Sequence, residues 1–431
     1  MINLSDLIEK IPNKMGFLCF PSHETTVDHL VKRSLTFRNF VIGKKIAVCT
    51  DNLELGLTAL MAADGYSKSI CLLPNNLKKE EKKKILNLID YDLIIEDSFQ
   101  FGRNVNLKKI ESANRIITDW QMLTSGTTNT PKVISHTLQS LSRATNQKVI
   151  SDKTVKWGLM YEFFRFAGLQ VLIQALHNRV TLIVPDRSLP LQNQIKMLTN
   201  NGCTHLSATP TFWRSIVMTD ECKYLKLRQI TLGGEIADAK ILDSLSAIYP
   251  LAKITHIYAS TETGVAFSVK DGLAGFPRDY LDNNINGLSF RIYNGMLQIK
   301  KRETTNPSED CWIDTGDLVE CKQNRIFFKG RAQCVINVGG NKVHPEEIES
   351  ALLSIPEIQG AIVYPKSNPI TGFVVAAEVL PYSHPKDTVK FSSNIRDYLS
   401  SKLDAYKIPA LIKVVKSLKI NASGKMNRTS L

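Results

Sequence analysis

The segment Thr124-Ser125-Gly126-Thr127-Thr128-Asn129-Thr130-Pro131-Lys132 combines small hydroxyl residues with one glycine and one lysine. A glycine lets the main chain approach phosphate oxygens, the hydroxyl groups supply short donors, and Lys132 adds a cation. The segment is not a Walker motif, because Pro131 precedes the lysine and biases Thr130 toward extended backbone. It predicts a loop that binds the phosphates of ATP, with a polar surface turn as the alternative.

The composition is that of an ordinary soluble globular protein: 431 residues, 43% hydrophobic and 22% charged, which is enough for two or three domains. The N-terminus has no apolar signal core, and no apolar run is long enough to span a bilayer. We therefore expect a cytoplasmic protein that does not contact membranes. The eight cysteines include no Cys-x-x-Cys pair, which favours buried thiols over disulfides or zinc ligands.

The formal net charge of +13 permits attraction to nucleotides, coenzyme A, an acidic carrier protein or nucleic acid, and selects none of them. The lysine-rich run 78–84 contains no aromatic residue, so we interpret it as a solvated helix face. A groove for nucleic acid is disfavoured for the same reason.

Short β-branched runs alternate with helical patterns from residue 45 onward, which predicts βαβ units and a largely parallel sheet. A second region of this kind follows the predicted phosphate loop. The predicted strands are 45–50, 69–73, 91–95, 179–184, 228–232 and 254–258, and the predicted helices are 53–63, 79–88, 138–150 and 191–200.

From about residue 287 the pattern changes to short strands and turns, which predicts a small β-rich subdomain over 287–330. A break follows near Gly330-Arg331. The remaining residues are enough for a small α+β domain, with helices at 345–354 and 391–403 and strands at 360–364 and 372–380. We therefore predict an N-terminal domain over 1–330 and a C-terminal domain over 331–431.

Four further segments follow the phosphate loop in order, and with it they resemble the core motifs of the adenylate-forming superfamily. They are Tyr258-Ala259-Ser260-Thr261-Glu262-Thr263-Gly264, Asp314-Thr315-Gly316-Asp317, Gly330-Arg331 and Ser423-Gly424-Lys425. The resemblance spans roughly residue 44 to the C-terminus. Within the superfamily, the segments 131–137, 163–168 and 208–214 are most similar to the short acid–CoA ligases, such as the o-succinylbenzoate ligase group.

The resemblance implies an α/β fold with two lobes of largely parallel sheet, a small β subdomain and a mobile C-terminal α+β domain. It also implies an ATP-dependent acid–thiol ligase that forms an acyl- or aryl-adenylate and then a thioester. The implied cofactors are ATP, Mg²⁺ and coenzyme A, with the phosphopantetheine of a carrier protein as the other possible thiol. The alternatives are an enzyme that only adenylates and a nucleotide-binding accessory subunit.

The resemblance assigns catalytic roles to Lys425, Glu262 and Lys132. Lys425 would bridge the substrate carboxylate and the α-phosphate, and Glu262 would hold the magnesium ion. Asp317 would accept hydrogen bonds from the ribose hydroxyls with help from Arg331. The full set of implied ATP- or AMP-binding residues is Thr124, Ser125, Gly126, Thr127, Thr128, Gly234, Glu235, Tyr258, Ser260, Thr261, Asp317 and Arg331. For Tyr258 and the segment 233–235, packing in the core is the alternative.

The implied acid-substrate pocket contains Phe164, Arg165, Gly168 and Ala259, and the implied thiol site and hinge contain Gln333, Gly339 and Gly340. Arg165 stands where CoA ligases often have a histidine. Because an arginine grips carboxylates and phosphates in bidentate fashion, it would meet a second substrate carboxylate or steer an acidic thiol donor. A surface arginine beside an aromatic cluster is the alternative.

Other positions also depart from the family pattern. Asn129 and Ala259 replace glycines, and Gln333 and Asn337 replace a charged hinge residue and a lysine, so adenylation is better supported than thioester formation. His136, which follows the phosphate loop, would contact active-site residues without touching the substrates, or would be a structural histidine.

Overall fold

A computed structural model of the chain describes residues 3–74, 77, 79–99, 114–124, 132–145, 149–301, 312–368 and 372–418. The chain forms two compact units. Unit 1 comprises Met1–Ala208, Thr219–Gly234 and Leu251–Ser268, and unit 2 comprises Thr209–Met218, Glu235–Pro250 and Val269–Leu431. The domain boundary predicted at residue 330 falls inside unit 2 and stays a prediction.

Among the residues that the structure describes, unit 1 forms two sheets with helices between their strands. Its strands are β1 (Gly16–Cys19), β2 (Glu24–Thr26), β3 (Lys45–Val48), β4 (Ser69–Leu72), β5 (Leu93–Ile95), β6 (Asp119–Thr124), β7 (Lys132–His136), β8 (Lys156–Leu159), β9 (Thr181–Ile183), β10 (His205–Ala208), β11 (Gln229–Gly233), β12 (Lys253–Ser260) and β13 (Gly264–Val269). Its helices are α1 (Leu4–Ile8), α2 (Val27–Val41), α3 (Leu53–Ala63), α4 (Lys79–Leu88), α5 (Leu138–Ser142), α6 (Phe166–Asn178) and α7 (Leu191–Asn200), and a 3₁₀ helix spans Asp220–Tyr224.

The first sheet has the strand order β5-β3-β4-β6-β7. Its first four strands are parallel, and only β7 runs antiparallel to its neighbour β6. Helix α3 lies where predicted, because Asn52 caps its first turn and almost every following side chain is apolar and buried. The predicted strands at 45–50, 69–73 and 91–95 and the helix at 79–88 are confirmed within a few residues.

The second sheet has the strand order β13-β12-β11-β10-β8-β9-β1-β2. Strands β12, β11, β10, β8, β9 and β1 form a parallel ladder, and β2 closes one edge antiparallel to β1. Strand β9 begins two residues later than predicted because Arg179 ends helix α6 with a left-handed backbone, at φ +56°.

The helix predicted over 138–150 is wrong in length, since α5 ends at Ser142. Serine and threonine side chains compete with the helical hydrogen bonds at this point. The hydroxyl and the backbone N–H of Thr145 both donate to the carbonyl of Ser142, at 2.7 and 3.1 Å, so the chain turns away instead of adding a helical turn.

The core of unit 1 contains a buried polar pair. Trp120 on β6 is fully buried, and its indole N–H donates to the carboxylate of Asp64 at 2.8 Å. The other carboxylate oxygen of Asp64 accepts from the backbone N–H of Leu4 at 2.8 Å. Burial raises the pKa of Asp64 to about 6.

In the described part of the chain, unit 2 contains two sheets and four α-helices. Its strands are β14 (Phe276–Pro277), β15 (Leu288–Tyr293), β16 (Met296–Lys301), β17 (Ile313–Lys322), β18 (Arg325–Arg331), β19 (Ile336–Val338), β20 (Asn341–Val343), β21 (Ile358–Asn368), β22 (Gly372–Pro381) and β23 (Leu411–Val414). Its helices are α8 (Pro210–Val217), α9 (Ala239–Ile248), α10 (Pro345–Leu353) and α11 (Thr388–Ser400), with 3₁₀ helices at Arg278–Leu281, Ala332–Cys334 and Ala405–Lys407.

One sheet of unit 2 is antiparallel, with the order β14-β18-β17-β16-β15. The other has the order β20-β19-β22-β21, with β23 parallel to β22, and it packs with α10 and α11 around a separate hydrophobic core. The predicted helices at 345–354 and 391–403 and both predicted strands are found, although α11 begins three residues early because Asp387 caps it.

Two predictions from composition can be compared with the described part of the chain. No helix there has both the length and the apolar character needed to cross a bilayer. The seven cysteines described are free thiols, and five of them are buried. Cys321 and Cys334 are exposed, so the prediction of buried thiols is wrong for these two residues.

Candidate functional site

The phosphate loop predicted from the sequence joins the two strands of a β-hairpin. Strands β6 and β7 are antiparallel, and Thr124 pairs directly with Lys132. Residues 125–131, which include the predicted Ser125, Gly126, Thr127 and Thr128, lie outside the described residues. Lys132 is exposed at the start of β7, so its ammonium group is accessible at the base of the loop.

The second predicted motif forms the turn between β12 and β13. The hydroxyl of Ser260 accepts from the backbone N–H of Thr263 at 3.1 Å and lies 3.0 Å from the Thr263 hydroxyl. Gly264 follows with φ +73°, a left-handed conformation that favours glycine. Thr263 is only 5% exposed, whereas Glu262 is exposed, so the turn presents the Glu262 carboxylate to solvent.

Two side chains that follow the phosphate hairpin donate to this turn. His136, the last residue of β7, donates from Nε2 to the carbonyl of Thr261 at 2.6 Å. Arg143, just after α5, donates from Nη2 to the carbonyl of Thr263 at 2.8 Å. Because a carbonyl oxygen only accepts, Nε2 of His136 carries a proton. The carbonyls on both sides of Glu262 are therefore held from the same segment.

The residues predicted to flank adenine lie at the ends of neighbouring parallel strands. Gly233 ends β11, and its carbonyl accepts from the hydroxyl of Tyr161 at 3.4 Å. Tyr258 on β12 stacks on Phe267 of β13, with ring centroids 5.1 Å apart and an interplanar angle of 25°. The backbone at Gly234 is left-handed, at φ +83°.

The predicted acid-pocket residues differ strongly in exposure. The Phe164 ring is 5% exposed, meets Phe163 edge to face and lies where a side chain at Gly56 would clash, so it belongs to the core of unit 1. A Cβ on Gly168 would lie 2.2 Å from the carbonyl oxygen of Glu162. Glycine is therefore required here, since the chain before α6 passes directly over it. Ala259 is half-buried on β12.

Arg165 lies at the start of α6 and forms an ion pair. Its Nε donates to the Glu162 carboxylate at 2.6 Å, and 34% of its side chain is exposed. Arg187, after β9, lies within electrostatic range of both residues, and Asp51 lies within range of Arg187. Arg165 is therefore one of a cluster of charged side chains that includes a second arginine, Arg187.

In unit 2, the motif around Asp317 lies within strand β17 and does not form a turn between strands. Gly316 has φ +77°, and the hydroxyl of Thr315 accepts from the backbone N–H of Asp317 at 3.1 Å. Asp317 pairs in register with Arg331 on β18, whose Nε donates to its carboxylate at 3.2 Å. The resemblance places these two residues together, and they are in contact.

The other predicted residues of unit 2 differ in what the structure describes of them. The Glu235 carboxylate accepts from the backbone N–H of Thr211 in the first turn of α8, at 3.0 Å. Gln333 lies in the 3₁₀ helix Ala332–Cys334. Gly339 and Gly340 both have positive φ and form the turn of the β19–β20 hairpin, where the Asn337 side chain accepts from Gly340 N–H at 3.0 Å. Lys425 lies outside the described residues.

Sequence reasoning did not find Arg143, Tyr161 or Arg187. Arg143 lies 120 residues from its partner Thr263, so no local pattern could have indicated the contact. The wrong helix over 138–150 also hid Arg143, because there it would be one more polar residue on a solvated helix face.

The residues present fit a magnesium ion bound to a nucleotide. The described part of the chain contains no cluster of three or more His, Cys, Asp or Glu side chains suited to a metal. Magnesium in nucleotide sites is commonly held by one or two carboxylates together with phosphate oxygens and water. The exposed carboxylate of Glu262 meets that requirement without a further protein ligand.

The sequence profile of AMP-binding enzymes matches residues 75–307, which is more than half of the chain. The chain belongs to the AMP-binding enzyme family. The profile of the AMP-binding enzyme C-terminal domain matches residues 347–425, which include all but the first two residues of α10 and the whole of α11.

This AMP-binding enzyme is similar to the 2-succinylbenzoate–CoA ligase of Bacillus subtilis (strain 168), with 25% identity over 422 residues, 91% of this chain and 83% of the relative. Its fold matches the anthranilate CoA ligase AuaEII in complex with anthranoyl-AMP, with a TM-score of 0.79, 16% identity and coverage of 99% and 95% of the two chains. It also matches o-succinylbenzoate CoA synthetase from Bacillus subtilis in complex with OSB-AMP, with a TM-score of 0.73, 20% identity and coverage of 99% and 97%.

The predicted superfamily and the predicted α/β fold class are confirmed by these matches. The named relatives are acid–CoA ligases or synthetases, which is the activity class that the motifs predict for this chain.

Proposed function

We propose that the protein is an ATP-dependent acid–CoA ligase. The observation that carries this proposal is the arrangement in unit 1, where the strand that begins with Lys132 ends at His136, which contacts the turn bearing Glu262. A phosphate-binding cation and a magnesium-binding carboxylate are thereby supplied from two connected segments. That combination suits a reaction on the phosphates of ATP.

In the first step, a carboxylate oxygen of the acid attacks the α-phosphorus of ATP, and the bond to the β-phosphate breaks. The products are an acyl-adenylate and pyrophosphate. Magnesium bound to the nucleotide supplies neutralisation of the phosphate charge. Glu262 holds the ion, Lys132 contacts the phosphates, and Lys425 stabilises the charge that develops between the carboxylate and the α-phosphate.

We assign the ribose and the adenine of the nucleotide to separate residues. Asp317 accepts hydrogen bonds from the ribose hydroxyls, and Arg331 orients its carboxylate. One face of Tyr258 is covered by Phe267, and its other face stacks on adenine. Because the Glu235 carboxylate already accepts from Thr211, this residue contributes through its backbone.

In the second step, a thiolate attacks the acyl carbon, and the bond to the AMP oxygen breaks to give a thioester and AMP. Coenzyme A is the proposed thiol, since the named relatives are CoA ligases, and the net charge of +13 suits any acidic donor. The phosphopantetheine of an acyl carrier protein is the competing donor. The C-terminal domain over 331–431 would rotate near Gln333 between the steps, and Gly339 and Gly340 would approach the pantetheine. We also propose a cytoplasmic location, where a supply of ATP is available.

The proposed acid is aromatic. The relatives named for 2-succinylbenzoate and anthranilate support this class. Arg165, whose side chain is 34% exposed, is suited to meet a second carboxylate on the acid.

The test is pyrophosphate exchange into ATP with a panel of aryl, fatty, short-chain, dicarboxylic and amino acids, using the wild type and Lys425→Ala. We expect exchange with aryl acids that is lost in the variant, and thioester formation when coenzyme A is added. Exchange without a thioester from coenzyme A or a carrier protein would show an enzyme that only adenylates. ATP binding without exchange for any acid would overturn the proposal in favour of an accessory subunit.

A further inference from the structure

His136 and Arg143 contact the turn that carries Glu262 at two adjacent points. The Thr261 carbonyl precedes Glu262 and accepts from His136, and the Thr263 carbonyl follows Glu262 and accepts from Arg143. Both donors come from the short segment after the phosphate loop, whereas the turn belongs to the other sheet of unit 1. These two hydrogen bonds therefore connect the sheet bearing Lys132 with the sheet bearing Glu262.

The turn is also held from within, which leaves its peptide groups little freedom. Ser260 accepts from the backbone N–H of Thr263, and Gly264 supplies a left-handed backbone. A Cβ on Gly264 would lie 3.7 Å from Nη2 of Arg143, so the guanidinium group packs closely against the glycine. With both flanking carbonyls fixed, the direction in which the Glu262 side chain leaves the turn is fixed as well.

The two donors are themselves restrained. Nδ1 of His136 lies 3.3 Å from the hydroxyl oxygen of Ser140. Ser140 also takes part in the N-terminal cap of α5. No carboxylate in the described part of the chain forms an ion pair with Arg143. Its interaction with the Thr263 carbonyl therefore does not compete with a nearby acid.

We propose that His136 and Arg143 are positioning residues that orient Glu262 toward the magnesium ion of bound ATP. This inference rests on the proposed function, because it takes the protein to bind ATP together with magnesium. It assigns the two residues an effect on metal-dependent binding that a role in folding alone would not produce.

The test is calorimetric titration of the full-length protein with ATP, once with excess magnesium chloride and once with EDTA. The variants are His136→Phe, which keeps a ring without a donor, and Arg143→Met, which keeps an aliphatic stem. His136→Gln and Arg143→Lys retain a donor. Gln139→Ala is the matched control, because Gln139 lines the same cavity as Arg143 and plays no part in the proposed contact.

We expect the donor-removing variants to bind ATP with magnesium at least roughly tenfold more weakly than the wild type, as for loss of a charge-assisted hydrogen bond. In EDTA their affinity should equal that of the wild type, because Glu262 then has no metal to bind. Arg143→Lys should recover most of the loss, and Gln139→Ala should show none. In a Glu262→Gln background, Arg143→Met should cause no further loss.

An equal loss of affinity with and without magnesium would overturn the inference, since it would show damage to the whole site. Wild-type affinity for magnesium ATP in His136→Phe and Arg143→Met would also overturn the inference. A protein that binds magnesium ATP but exchanges no pyrophosphate would refute the proposed ligase and leave this inference standing on the binding data. A wild type that binds no ATP would refute both.

Discussion

The carboxylate of Asp317 accepts a hydrogen bond from Nε of Arg331 at 3.2 Å, and the two residues are register partners on β17 and β18. The Asp317 side chain is 14% exposed and that of Arg331 is 57% exposed. Because an ion pair with an exposed partner contributes little to folding, its removal should affect binding more than stability.

Asp317→Asn is expected to raise KM for ATP roughly tenfold to a hundredfold, since a hydrogen bond to a charged acceptor contributes about 1.5–3 kcal/mol. Arg331→Met should raise KM by less, because Arg331 only orients the carboxylate. Glu320→Gln is the control, since it removes a carboxylate from the same strand that pairs with Lys329. Steady-state kinetics of pyrophosphate exchange checks this, and equal KM values for all three variants would contradict the ribose assignment.

Lys240 links two distant parts of unit 2. From helix α9, its Nζ donates to the carbonyls of Leu353, Ile355 and Ile358, at 2.6, 3.3 and 2.8 Å, where α10 ends. Lys240→Met should lower the free energy of unfolding by about 1–3 kcal/mol, because these carbonyls lose a charged donor. Urea unfolding checks the value. Lys240→Arg, which keeps a cation, should lose less, and an unchanged midpoint for Lys240→Met would refute the capping role.

Two buried groups make opposite contributions to the dependence of stability on pH. Burial lowers the pKa of His205 to about 4. Between about pH 6.5 and 4, the imidazole is therefore protonated in the unfolded state but remains neutral in the folded state. This contribution to stability is lost as the pH falls. The pKa of Asp64 is raised to about 6, so its protonation stabilises the fold as the pH falls through 6.

From pH 7 to pH 5 these two effects should largely cancel in the wild type. His205→Asn should therefore gain stability relative to the wild type over this interval, by about 1–2 kcal/mol, and Asp64→Asn should lose it. Chemical unfolding at the two pH values gives the comparison. Stability differences of the opposite sign, or no difference from the wild type in either variant, would show that the assigned protonation states are wrong.

Variants of Arg165 and Glu162 show whether Arg165 contacts a substrate or only forms a surface ion pair. If it meets a carboxylate or phosphate of a substrate, Arg165→Ala should raise KM for the acid or for coenzyme A roughly tenfold or more. Varying each substrate in turn shows which one is affected. Glu162→Gln removes the same ion pair but keeps the cation, so it should not raise KM. Unchanged kinetics in Arg165→Ala would leave Arg165 as a surface residue only.

The elements that the sequence predicted well are those with a local cause. Helix α3 follows from the Asn52 cap and a continuous apolar run, and β11 follows from a short β-branched run that ends at the glycines 233 and 234. Helix α5 was predicted too long because its apolar positions continue past Ser142, whereas the hydrogen bonds of Thr145 end it.

The site shows the same distinction. Glu262 and Asp317 were found because their neighbours form recognisable motifs. Arg143 was missed because its function depends on a carbonyl brought close by the packing of two sheets, and any residue type can provide a carbonyl. The sequence alone therefore contains no pattern for this contact.

Because Thr124 and Lys132 are paired across β6 and β7, the sheet holds both ends of the sequence insert 125–131. Changing the length of such an insert costs little loop-closure entropy. Combinatorial libraries can thus vary this stretch while the lysine keeps its place on the sheet. Selection from such libraries offers a route to enzymes that accept phosphate donors other than ATP.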